Sequence, residues 1–144
     1  MIHAIRTPSD AAVAMDYFNG FHDGCLVSLA LAWDAFLDDD TSLLLPTGAS
    51  ANLVFSHYNY VSARTPYHEN VRMALKEVSD VRMDFSQFKE WDWAISEVRI
   101  TSPNNSPSAP LTLSCTWCYL AGHEWQTKEA LQLRFCEAEI WDHE

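Results

Sequence analysis

Two runs in the middle of the chain restrict its fold most. In residues 71–76, Val71, Met73 and Leu75 alternate with Arg72, Ala74 and Lys76, and in residues 81–85, Val81, Met83 and Phe85 alternate with Arg82 and Asp84. A period of two puts successive side chains on opposite faces, so each run reads as a β-strand with one buried face. The four residues between them, Glu77-Val78-Ser79-Asp80, suit a turn or an irregular continuation.

The same period recurs elsewhere. Cys25, Val27, Leu29, Leu31 and Trp33 alternate with mostly smaller residues and predict a long strand buried along that side. After Asp38-Asp39-Asp40, a charged turn, residues 42–45 form a short apolar run stopped by Pro46 and Gly48. Residues 52–57 predict the next strand, and residues 59–70, with Pro66, a loop. Trp93 and Ile95 share one face, while Val98 and Ile100 fall in the other phase. A β-bulge near Ser96-Glu97 would restore a single buried side. Residues 111–120 and 130–141 predict the last strands, the second with a bulge or break near Cys136, where its phase shifts. Between them the Pro-rich stretch at residues 103–110 reads as a solvated loop.

Only the N-terminal part departs from this pattern. Thr7 suits a helix cap, Pro8 the first helical position and Asp10 the first turn, and Asn19-Gly20 closes the segment. The expectation is a mainly β chain, an antiparallel β-sandwich or strongly curved sheet of seven or eight strands with one short N-terminal helix. Its 144 residues form a single domain, 1–144, without internal repeat or linker.

Charge narrows the function. Twenty Asp and Glu against nine Lys and Arg give a formal charge of −11. Nucleic-acid binding draws its affinity from cations neutralising phosphates, so no nucleic acid is expected, and docking on an anionic membrane is disfavoured for the same reason. A basic protein partner matches this charge, because complementary fields speed encounter. The start, Met1-Ile2-His3-Ala4-Ile5-Arg6, lacks a signal-peptide core, and no run reaches the roughly 18 apolar residues of a membrane span, so a cytoplasmic location is expected. The four cysteines then read as reduced thiols.

Several groups carry chemistry in principle. Cys115-Thr116-Trp117-Cys118 has the spacing of a redox or zinc pair, but a strand sends residues three apart to opposite faces, and no second pair completes a zinc site. His22 and Asp23, in Phe21-His22-Asp23-Gly24, pair a general base with a carboxylate, but a turn is the plainer reading of them. A hydrolase or lyase built on them would need a third polar partner, such as His57 or His68. His57, Tyr58 and Tyr60 cluster beside Tyr67-His68-Glu69, and Trp91 and Trp93 share one face of an extended segment. Such rings stack on a sugar or anchor a protein interface. Phosphate loops, a Rossmann glycine pattern, the Gly-x-Ser-x-Gly elbow and His-Glu-x-x-His are all missing, so no catalytic residue, metal or cofactor is assigned.

Phe18-Asn19-Gly20-Phe21-His22-Asp23-Gly24-Cys25-Leu26 after a short helix, then Asn52-Leu53-Val54-Phe55 and the strand from Val71 to Val78, resembles a set of small uncharacterised bacterial proteins. These carry a Phe-His-Asp-Gly turn and a later Phe-Glu-Gly-Val-like corner, which Lys76-Glu77-Val78 replaces here without its glycine. That family has no assigned activity, so the resemblance implies no catalytic role. The expected function is therefore an acidic cytoplasmic protein-interaction module, one form being an immunity-type inhibitor covering a basic toxin or nuclease. A small-molecule or carbohydrate-binding β domain is the alternative, and a homo-oligomer through strand edges is compatible with either.

Overall fold

The computed structural model describes residues 2–38, 43–59, 67–85 and 94–142, with the backbone alone described at 34–38, 43–47, 58–59 and 67–68. Strand β1 (Ile2–Ile5) leads into helix α1 (Pro8–Tyr17). Strands β2 (Cys25–Asp38), β3 (Leu43–Asn59), β4 (Tyr67–Lys76), β5 (Asp80–Met83), β6 (Ala94–Thr101), β7 (Leu111–Ala121), β8 (Glu124–Phe135) and β9 (Glu137–Trp141) follow. Their pairing is antiparallel throughout. One sheet has the order β1-β9-β4-β3-β2 and the other β5-β8-β7-β6, as in a β-sandwich.

Helix α1 begins where its sequence says it should. The Thr7 side chain accepts from the Asp10 N–H at 3.2 Å, and the Asp10 carboxylate accepts from the Thr7 N–H at 3.1 Å, a complete capping box with Pro8 behind it. Such a cap contributes roughly 1 kcal/mol, too little to hold ten residues helical alone. Burial of Ala11, Ala14 and the following Phe18 supplies the rest.

The alternation in β4 holds: Val71, Met73 and Leu75 are fully buried. They contribute to one core with Leu113, Cys115, Leu131, Leu133 and Phe135 of the second sheet. Two phase shifts read from the sequence are the points where the chain changes course. Ser96 is the extra residue of a bulge in β6, which leaves Ile95, Val98 and Ile100 all buried. At Cys136 the chain leaves β8 and enters β9 in the other sheet, so the expected last strand is two. The stretch at Glu77–Asp80 makes a similar crossing in reverse. Glu77 takes φ +55, Val78 turns inward, and the Val78 and Ser79 N–H groups donate to the carbonyls of Ala49 and Arg134.

Three expectations are corrected. Pro46 and Gly48 do not stop a strand; β3 runs through them, with Thr47 unpaired in a bulge. The β4 pairing extends only to Ala51, so Pro46 lies where β3 has β2 as its sole partner among the described residues, a position that tolerates a missing N–H. Residues 67–70, read as loop, begin β4. In β2 the expected buried side is interrupted, because a bulge at Val27 shifts the register. Leu26, Leu29 and Leu31 pack on the core, whereas Cys25, Val27 and Trp33 are exposed. Likewise Val81 of β5 packs inward, while Met83 and Phe85 reach the surface. Merging two expected strands into β3, splitting the last, and adding β1 turns eight into nine among the described residues.

The turn after α1 ties the two sheets together. The Asp23 N–H donates to the Ile95 carbonyl and the Ile95 N–H to the Gly24 carbonyl, both at 2.9 Å. Gly24 lies so close to β3 that a Cβ there would come within 2.3 Å of the Ser56 carbonyl oxygen. The sequence offers no substitute for that hydrogen. Gly24→Ala is expected to destabilise the fold by about 3 kcal/mol through this overlap, and urea denaturation measures it.

Candidate functional site

The candidate residues fall into four places. His22 and Asp23 sit in the turn just described, both about half exposed. Asn19, Gly20, Phe21 and Asp23 all have positive φ, between +51° and +63°. A left-handed Phe costs about 1–2 kcal/mol. Phe21 more than offsets this, because its fully buried ring stacks on Phe18 at 5.0 Å and Phe55 at 4.5 Å. The strain therefore serves to bury one ring, and His22 and Asp23 are carried outward by it.

His22 is held in place. Its Nδ1 lies 2.9 Å from the carbonyl of Ser96, the bulged residue of β6, and accordingly carries the proton, which leaves Nε2 toward Asp23 Oδ1 at 3.6 Å. The ring forms part of the wall of a groove of about 610 Å³ between α1 and β6, with Asp16, Asn19, Glu97 and Arg99 nearby along the lining. Arg99 is neutralised within the groove by Glu97, Nε to Oε2 at 2.8 Å.

His57 does not join them. It is only 6% exposed, and its ring meets Phe18 and Phe21 edge-on, with centroids 5.4 and 5.6 Å apart. It belongs to the aromatic core beneath the turn, whereas His22 is above it, so the two do not form a shared acid–base site. Tyr60, Trp91 and Trp93 lie outside the described residues, as do the side chains of Tyr58 and His68. Cys115 and Cys118 project to opposite faces of β7, as expected. Cys115 is buried, which pushes its thiol far above the ordinary range, and Cys118 Sγ reaches the Ala94 carbonyl at 3.4 Å. Among the described residues no group of three His, Cys, Asp or Glu side chains could hold a metal ion. No helix among them is long and apolar enough to cross a membrane.

Two features were not anticipated. The first is a polar pair joining the two ends of the chain. His3 Nε2 lies 3.4 Å from Asp142 Oδ2, both are largely buried, and the His3 ring packs against Tyr17 at 4.7 Å and Phe18 at 5.1 Å. No motif marks it, since the partners are 139 residues apart. Burial works to raise the Asp142 carboxyl, but the donors around it, His3 and Tyr17 among them, outweigh burial and hold it below its ordinary value.

The second is the outer face of the four-stranded sheet. Strands β7 and β8 continue past β5, which ends opposite Leu131, and the first described residue of β6, Ala94, lies opposite Cys118. They close through Gly122, which takes φ +65. On this hairpin Leu120 pairs with Trp125, and Trp125 is 66% exposed. Alternation puts both on the same face as Thr116, Thr127 and Glu129. There a depression of about 400 Å³ is lined by Ser96, Thr101, Ser114, Thr116 and their charged neighbours. The sequence signal was available, an aromatic beside a Gly-His hairpin turn, but residues 124–129 carry too many polar side chains to read as a strand.

The Asp142 geometry fixes a pH response. Its folded-state pKa is depressed, so the ionised carboxylate contributes stability that is complete above the unfolded value, near pH 4, and is lost as pH falls through the folded value. Asp142→Asn should therefore lower stability at neutral pH and flatten the acid limb of a denaturation-versus-pH series.

No family model matches the chain, and no match is found among curated proteins or among solved structures, so its functional reading rests on the residues themselves.

Proposed function

We propose that this domain is a protein-binding module that presents the outer face of its four-stranded sheet, with Trp125 and Leu120 as anchors, to a basic partner. The observation that carries the reading is the exposure of Trp125, paired with Leu120 near the end of the β7–β8 hairpin, in a chain of charge −11. Tryptophan supplies large contact area with few rotors and dominates the energetics of many interfaces. Leu120, 38% exposed, lies directly across from Trp125, so the two form a contiguous apolar surface of the kind that marks interfaces.

The acidic excess supports the sign of the partner. The cations of the described surface are largely spent internally: Arg6 and Lys76 approach Glu137, Arg82 approaches Asp80, Arg99 approaches Glu97, and Lys128 approaches Asp84. Each of these exposed pairs contributes little to stability. Together they leave the surplus of carboxylates as the field a partner meets, which favours a basic surface and fast encounter. An immunity-type inhibitor covering a basic toxin or nuclease is one form such a pairing takes.

One observation favours a second reading. The depression is lined by Ser, Thr, Glu and Arg groups, and Trp125 lies on the same face two residues along β8 from its Thr127, a ring and polar groups of the kind that hold a sugar. A soluble oligosaccharide that quenches tryptophan fluorescence in the wild type, and not in Trp125→Phe, would select it.

Crosslinked capture from producing cells tests the leading reading. Wild type should recover a stoichiometric basic protein whose binding weakens with salt, and Trp125→Ala should weaken it on the order of thirtyfold. Equal recovery by both forms, or no partner, would overturn it.

A further inference from the structure

The four sheet edges among the described residues are not alike. β1 and β5 are edges of only four residues each. β6 is an edge flanked by α1 and by the turn at residues 21–24, which takes both hydrogen-bonding groups of Ile95. β2 is the fourth, fourteen residues long and paired only with β3. Long edges invite pairing with another chain, and proteins usually blunt them with charge, proline or a covering segment. From Cys25 to Trp33 the sequence Cys-Leu-Val-Ser-Leu-Ala-Leu-Ala-Trp contains no charged residue and no proline. In a chain whose residues are 20% charged, such a stretch on an edge is conspicuous.

The hydrogen-bond phase of this edge follows from the pairs on its inner side. The Ala49 carbonyl of β3 accepts from the Val78 N–H at 2.8 Å, so Ala49 directs its polar groups away from β2. Its partner Trp33 is then in a non-hydrogen-bonded pair, with its own N–H and C=O directed off the edge that no described strand pairs. No bulge interrupts the register from Ser28 to Asp34, so Leu31 and Leu29 direct theirs the same way. Three residues at spacing two thus offer donors and acceptors to the same side. Ala30 and Ala32 between them are exposed on the outer face, and Trp33 is 67% exposed.

We infer that this edge pairs antiparallel with the same edge of a second copy, about a two-fold axis at Leu31. In that register Leu31 meets Leu31 and Leu29 meets Trp33, and all three positions exchange their N–H and C=O groups in hydrogen-bonded pairs. Each exposed Trp33 ring then lies beside a partner leucine. The match to a second copy is electrostatic as well: a neutral edge suits itself, whereas a basic strand would find no carboxylate between residues 25 and 33. The inference is separate from the basic-partner reading, which uses the other sheet and weakens with salt. Here the two copies each carry −11, so screening by salt tightens the dimer. A five-residue edge buries a modest area, so the dissociation constant is on the order of micromolar.

The register makes the test specific. Ala30 of one copy sits opposite Ala32 of the other, and both are exposed, so charged residues there leave the monomer folded, as circular dichroism would verify. Ala30→Lys with Ala32→Lys places two like-charged pairs across the axis and should weaken dimerisation about tenfold. Ala30→Lys with Ala32→Glu places two opposite pairs there and should restore or tighten it. Sedimentation equilibrium of the full chain, over a range of concentration and salt, reads all three. A monomer at every concentration would overturn the inference, as would a dimer indifferent to the lysine pair or one that salt dissociates.

Discussion

The architecture depends on one stitch, the pair of backbone hydrogen bonds between the turn at residues 23–24 and Ile95 of β6. Strands β2 and β6 belong to different sheets, and nothing in either ladder obliges their ends to meet. The stitch requires the chain to leave α1 through consecutive left-handed residues, which is unfavourable backbone. What offsets it is the burial of Phe21 between Phe18 and Phe55, and the fit of Gly24 against Ser56, where no side chain fits. The β6 bulge completes the arrangement, since its extra residue, Ser96, presents the carbonyl that His22 binds. A pairing that looks catalytic in the sequence, His beside Asp, is thus the outer side of a structural joint.

The aromatic cluster under this joint reaches both ends of the chain. Phe18 touches His3, Tyr17, Phe21 and His57, linking β1, α1 and β3. His3 in turn meets Asp142 just beyond β9. The short strand β1 has little apolar area to bury by itself, Ile5 being its one buried residue, so this cluster and the β9 ladder hold it. Polar groups sit in the cluster where a purely apolar core would pack as well. Their presence makes the closure of the chain ends sensitive to the charge on Asp142.

Away from the joint, the two hairpins outrun their sheets. Among the described residues β2 and β3 continue beyond β4, and β7 and β8 continue beyond β5. A two-stranded ribbon is marginal in water, because one of its faces has no layer to cover it. Two exposed tryptophans of the described residues, Trp33 and Trp125, are on these extensions. Surface available for binding arises here from unequal strand lengths, with the compact double-sheet region as its rigid support.

The sequence by itself determined the strands with regular alternation, the capped helix, and the positions of two phase shifts, at Ser96 and Cys136. Side-chain period and capping chemistry are local, and a bulge leaves its mark in the apolar pattern. It read the shift at Ser96 as a bulge but left the shift at Cys136 open between a bulge and a break, because a bulge and a passage between sheets invert the pattern in the same way. Nor could it separate β2's buried leucines from Trp33, since the alternation is the same whether or not a second sheet lies opposite. The tertiary structure alone decided which histidine is core and which is surface, brought His3 to Asp142, and left Trp33 and Trp125 exposed. Those outcomes depend on where sheets end and which layers face each other, and contacts between residues far apart in the chain carry no local signature.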